Sequence, residues 1–192
     1  SIWDMGSGVP EITRQNGPIV NDPKIYNLYV GDWSSNANKL RMERLDQFTA
    51  DLLNSSYMSI MAQYGALKPG NFIKSAVIFS NQTKFTDTEF HDLLQGAING
   101  NIIPEPKPND VFMIYLPDNA SVEDAALGIS MCTTSTGSAF GYHYNFKTQA
   151  GHKCYYAIIP GLTDACLNKT CYGQLNCSLK LTQTQEERQT QV

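Results

Sequence analysis

Strand-sized apolar runs alternate with helix-spaced apolar stripes through the first 117 residues of this 192-residue chain, and that alternation restricts the fold more than any other feature. Lys24 to Gly31 holds Ile25, Tyr26, Leu28, Tyr29 and Val30, aromatic and β-branched enough for a strand. Ser34, Ser35 and Asn36 offer N-cap oxygens, and Leu40, Leu45, Phe48, Leu52 and Leu53 form an amphipathic stripe that Asn54-Ser55-Ser56 should interrupt. A short helix over Tyr57 to Tyr64 turns Met58, Met61 and Tyr64 to the core before Gly65 closes it. Ser75 to Ser80 reads as a second strand. Thr86 with Glu89 makes a capping box and Phe85 with Phe90 its hydrophobic staple; Phe90, Leu93, Leu94, Ala97 and Ile98 share one helical face that stops at Asn99-Gly100. Beyond Pro104, Pro106 and Pro108, the unbroken apolar run Val111 to Leu116 suits a strand covered on both faces. This β-α-β-α-β order predicts a parallel core sheet with crossover helices.

From about residue 118 the pattern changes. Thr133 to Gly141 is small and polar, Phe140 to Phe146 alternates aromatics with Gly141, His143 and Asn145, and Cys154 to Ile159 is an apolar strand ended by Pro160. The expected fold is therefore α/β, or α+β, with a mixed sheet: a β-α-β-α-β N-terminal half and a disulfide-stapled C-terminal part rich in strands and loops. With 42% hydrophobic residues and no linker-like stretch, residues 1–192 read as one domain: an irregular arm (1–22), the core (23–117), a cysteine-containing strand and loop region (118–181) and a last segment (182–192). That segment carries a second capping box, Thr184-Gln185-Glu186-Glu187, so a helix starts within two turns of Val192. Isolated helices that short are marginal in water; either the tail frays or the natural polypeptide continues.

Five Asn-x-Ser/Thr sequons, at Asn54, Asn81, Asn119, Asn168 and Asn176, exceed the roughly two that this composition would give by chance and point to a secreted glycoprotein. The start at Ser1, without an initiator methionine or a signal-like apolar stretch, suits a mature chain. Cys132, Cys154, Cys166, Cys171 and Cys177 show neither Cys-x-x-Cys spacing nor zinc-ligand histidines, so they are disulfide candidates, with Cys132–Cys154 the expected bridge. The odd count leaves one thiol free and buried, or paired outside these residues.

A net charge of -4 with singly scattered lysines and arginines offers no basic stripe, which argues against nucleic acid. No apolar run approaches the ~20 residues of a membrane-spanning helix. Catalytic signatures are missing: there is no His-Glu-x-x-His, no Gly-x-Ser-x-Gly, and His91, His143 and His152 have no metal-site spacing. His91 beside the apolar helix face reads as structural or solvated. Triads assembled on paper from His143 or His152 with Asp118 or Asp164, and a Cys154–His152 pair, lack any supporting motif. Trp3, Trp33, Tyr142 and Tyr144, set among Gly, Ser, Asn and Asp, are the aromatics that would contact a ligand, most plainly a glycan, if they are exposed rather than packed.

Gly17-Pro18-Ile19-Val20 leading into Lys24-Ile25-Tyr26-Asn27-Leu28-Tyr29-Val30-Gly31-Asp32-Trp33 resembles the opening of the Exordium/phosphate-induced secreted proteins and their microbial relatives. Gln63-Tyr64-Gly65, Asn109-Asp110-Val111-Phe112, Gly141-Tyr142-His143 and Tyr155-Tyr156-Ala157-Ile158-Ile159-Pro160 extend the likeness. In the microbial branch a helix with a Ser-His-Glu-x-x-Glu segment follows, similar to a zincin metallopeptidase helix; it is absent from these residues, so no metal ligand or catalytic residue is assigned. The resemblance implies a secreted glycoprotein, and in one form the N-terminal scaffold chain of a processed zincin-like metallopeptidase, with zinc and a disulfide-linked second chain or C-terminal fragment brought in from outside. The alternative is a non-enzymatic extracellular binding protein, lectin-like or toxin-like, that takes a glycan or protein ligand.

Overall fold

A computed structural model describes residues 19–60, 69–132, 139–171 and 184–191. In chain order its elements are β1 (Lys24–Val30), α1 (Asn36–Leu53), α2 (Tyr57–Ile60), β2 (Asn71–Ile78), β3 (Lys84–Phe85), α3 (Asp87–Asn99), β4 (Asp110–Tyr115), β5 (Ser121–Asp124), β6 (Ile129–Met131), β7 (Tyr142–Lys147), β8 (Lys153–Ile159), α4 (Asp164–Cys171) and α5 (Gln185–Gln191). Five strands make the main sheet in the order β2-β1-β4-β8-β7. The first four run parallel, and β7 closes one edge antiparallel to β8. A small second sheet, β3-β5-β6, stands beside it.

Alternation along the strands sends successive side chains to opposite faces, and each face receives its own helix. Leu28 and Val30 of β1, Phe112 and Ile114 of β4, and Cys154, Tyr156 and Ile158 of β8 pack in one cluster with Phe90, Leu94 and Ala97 of α3. Tyr29, Tyr115 and Ile159 point the other way, into a cluster with Trp33 and Leu45 of α1. Both sides of β4 are thereby buried, which is why its sequence is an unbroken apolar run. At roughly 1.5–3 kcal/mol for each fully buried Leu or Phe, these two clusters supply most of the driving force for folding.

The capping box at Thr86–Glu89 forms, and Phe85 and Phe90 stack with centroids 5.0 Å apart. Asn54 caps α1 as expected. Three expectations are corrected. The second strand, expected over Ser75 to Ser80, runs Asn71–Ile78, because pairing with β1 from Lys24 onward carries its start back to Asn71. Asp164–Cys171, read as loop, forms α4, whose Leu167 and Cys166 are buried with Leu162. The expected Cys132–Cys154 bridge does not exist: Cys132, just past β6, pairs with Cys166 on α4. Cys154 is free and buried on the α3 face of β8. The side chain of Cys171, all of Cys177 and the Tyr57 to Tyr64 helix beyond Ile60 lie outside the described residues, as does Trp3. No helix among the described residues is long and apolar enough to cross a membrane.

Candidate functional site

In an open α/β sheet the crevice forms at the carboxyl ends of the strands, where successive connections leave in opposite directions. Here that point lies between β1, whose connection runs outward to β2, and β4, whose chain runs on toward β8. Three strand ends crowd it. Gly31 has φ +117°, and a Cβ there would sit 2.7 Å from Pro117 Cγ; a Cβ on Gly161 would come 2.7 Å from the Pro117 carbonyl carbon. Glycine at both positions lets the ends of β1 and β8 close on the turn Pro117–Ala120, which Ala120 N–H fastens to the Pro117 carbonyl at 3.1 Å.

Asp118 heads that turn, and Arg41 of α1 reaches it. Arg41 Nη1 donates to Asp118 Oδ1 at 2.7 Å, with the arginine side chain 6% exposed and the aspartate 54%. Arg41 also donates from Nη2 to Asn38 Oδ1 at 2.7 Å and lies 4.9 Å above the Trp33 ring, while its Nε is buried without a partner. Gln185 of α5 donates to the same Asp118 oxygen at 2.5 Å and to the Gly161 carbonyl at 2.8 Å. On the β1 side, Asp32 Oδ1 accepts from the Ser34 hydroxyl and amide, which hold its carboxyl below the usual carboxylate range.

Asp118 also lines a polar pocket of about 240 Å3. Thr83, Lys84, Asp118, Asn119, Ser121 and Thr163 line it together with the Cys132–Cys166 disulfide. Its wall carries a cation, a carboxylate, three hydroxyls and an amide, a donor and acceptor set that suits a small charged or polar ligand. A second recess, about 130 Å3, lies on the α1 face between β4 and β7 and is lined mainly by Met113, Tyr142, His143, Ala157 and Ile159.

A further polar cluster among the described residues is internal. Asp87, 2% exposed at the start of α3, accepts from the Tyr142 and Tyr156 hydroxyls at 2.6 Å each and lies 2.9 Å from His91 Nε2. His91 Nε2 also stands 2.8 Å from the Tyr156 hydroxyl, and its ring stacks on Phe146. Burial, first, and then Asp87 push both tyrosine hydroxyls well above their ordinary value. The network ties α3 to β7 and β8, and His91, expected to be structural or solvated, is part of it.

Of the aromatics expected to meet a ligand, Trp33 is 2% exposed, its indole N–H donating to the Val30 carbonyl; it offers no free face, since Arg41 and Tyr29 cover it. Tyr142 is half-buried on Asp87, Tyr144 is 49% exposed on β7, and neither lines the polar pocket. His143 is exposed on β7, and His152 pairs with Glu105 at 2.9 Å. Among the described residues no three His, Cys, Asp or Glu side chains gather as a metal site. Asn54, Asn81, Asn119 and Asn168 are all exposed, and Asn176 lies outside the described residues. The Arg41–Asp118–Gln185 centre was missed in the sequence, yet a signal existed: Arg41 occupies the buried stripe Arg41, Leu45, Thr49, Leu53, where a charge needs a partner. No known protein family, characterised protein or solved structure matches this chain.

Proposed function

We propose that this chain is an extracellular, N-glycosylated binding domain whose ligand is a small zwitterion, such as a free amino acid or the end of a peptide, held in the pocket beside Asp118. The observation that carries the reading is the pocket's place and lining: it opens at the carboxyl edge of a doubly wound sheet with Lys84 for an anionic group and Asp118 for a cationic one. Four exposed sequon asparagines and a disulfide favour an oxidising compartment. Titration calorimetry of glycine, glycylglycine and the uncharged sugar chitobiose against protein lacking N-glycans tests it. Saturable binding of glycylglycine that Lys84→Ala abolishes and Tyr144→Ala leaves intact is expected. Binding of chitobiose alone, weakened by Tyr144→Ala, would replace this reading with the lectin-like one.

The kinship with Exordium-like proteins belongs to the same proposal. The resembling residues within β1, its Gly31-Asp32-Trp33 turn and β8 form the framework that shapes the crevice, as a scaffold would. In the metallopeptidase version zinc arrives on a helix outside residues 1–192, and metal analysis of the natively purified protein decides it.

A further inference from the structure

Two of the five sequons converge on one wall of the pocket, although they stand 38 residues apart in the chain. Asn81-Gln82-Thr83 leads into β3 and Asn119-Ala120-Ser121 into β5, and these strands pair in parallel with Lys84 opposite Ser121. Ser121 N–H donates to the Thr83 carbonyl at 2.8 Å, so the hydroxyl residues of the two sequons are direct neighbours, and both line the pocket. Asn119 lines it as well, from an exposed turn position of the kind a glycosylating enzyme reaches. A glycan on Asn119 therefore starts on the pocket wall itself, and one on Asn81 starts two residues from it.

We infer that N-glycosylation of Asn119, flanked by that of Asn81, closes this pocket, so that glycan occupancy sets whether Lys84 and Asp118 can receive a ligand. The inference rests on the reading of the chain as a secreted glycoprotein with a binding pocket. The sugar acts here by bulk and position, over a pocket lined by Lys84 and the Cys132–Cys166 bridge.

The test needs no ligand. Protein secreted from a glycosylating host is treated with a limiting acetylating reagent, and acetylation of Lys84 is read by peptide mass spectrometry against Lys39, an exposed lysine on α1. Asn119→Gln should raise the Lys84 to Lys39 ratio several-fold, and Ser121→Ala, which removes the same sequon by a different residue, should do the same. Asn54→Gln, at the far end of α1, should leave the ratio unchanged. An Asn119 peptide without glycan in the secreted protein, or an unchanged ratio in both sequon variants, would overturn the inference. Failure of glycylglycine to bind even Asn119→Gln protein would count against the ligand reading, with the accessibility result standing apart from it.

Discussion

Replacing Asp87 by alanine removes the one group that three side chains from three elements share. The Tyr142 and Tyr156 hydroxyls each donate to it at 2.6 Å, and His91 Nε2 lies 2.9 Å away. Hydrogen bonds to a charged group contribute about 1.5–3 kcal/mol each, and a buried donor left unpaired costs about 1–3 kcal/mol. The three losses are not additive. Tyr142 and His91 are half-buried and can turn toward water, whereas Tyr156 is 1% exposed and cannot. The net expectation is about 3–4 kcal/mol. Tyr156→Phe should cost less, about 1–2 kcal/mol, because the carboxylate keeps its other partners. Urea unfolding followed by circular dichroism reads both as a fall in midpoint at constant slope. In the double variant the two changes should couple by about 1 kcal/mol or more. An Asp87→Ala protein within about 0.5 kcal/mol of the parent, the range of an ordinary surface substitution, would refute the view that this network holds α3 on the sheet.

Alkaline pH should unfold the protein in one step. Tyr29, Tyr115 and Tyr156 are at most 3% exposed, and burial raises each above the ordinary 10.0, Tyr115 to about 12. Because the folded value is the higher one, this stability is fully present below pH 10 and is lost as pH rises through the folded values, by up to about 1.4 kcal/mol per tyrosine per pH unit. The share of phenolate absorbance from these three buried tyrosines should therefore appear together with loss of circular dichroism; full phenolate absorbance in a still-folded protein would contradict the burial. Serine at both Cys132 and Cys166 opens a closed loop with a sequence separation of 34 and should cost about 3–4 kcal/mol in a thermal or urea melt. The buried Cys154 thiol, pushed up to about 12, should resist iodoacetamide in the native protein and react fully in urea. Gly161→Ala, with its Cβ 2.7 Å from the Pro117 backbone, should destabilise by about 1–3 kcal/mol, and a neutral effect would mean the strand ends are not pressed together.

The parts of the fold legible in the sequence were those where a local rule and the tertiary fold agree. The capping box and staple of α3, the Asn54 stop of α1 and the two-sided apolar run of β4 each carry a short-range signal. What escaped was set by distant partners. β2 extends to Asn71 only because β1 lies alongside, and β3, with two residues, is too short for any period. The disulfide was misplaced because Cys132 leaves the end of β6 for a cluster with Leu162, Cys166 and Leu167, while Cys154 packs in the separate cluster on the α3 face. The site was not read from the sequence. Asp118 entered only in a triad without a supporting motif and His91 as a structural or solvated residue; that Asp118 meets Arg41 and Gln185 is set by contacts 77 and 67 residues away in sequence, and that two distant sequons share one pocket wall is set by the β3–β5 pairing.

Intact mass of the natively purified protein, before and after enzymatic removal of N-glycans and before and after reduction, tests the central claim of an extracellular glycoprotein most directly. The account predicts a mass well above the 21.3 kDa of the polypeptide that falls on deglycosylation, with Cys132 and Cys166 recovered in one non-reduced peptide pair. A mass unmoved by deglycosylation, with Cys132 and Cys166 both free, would contradict it.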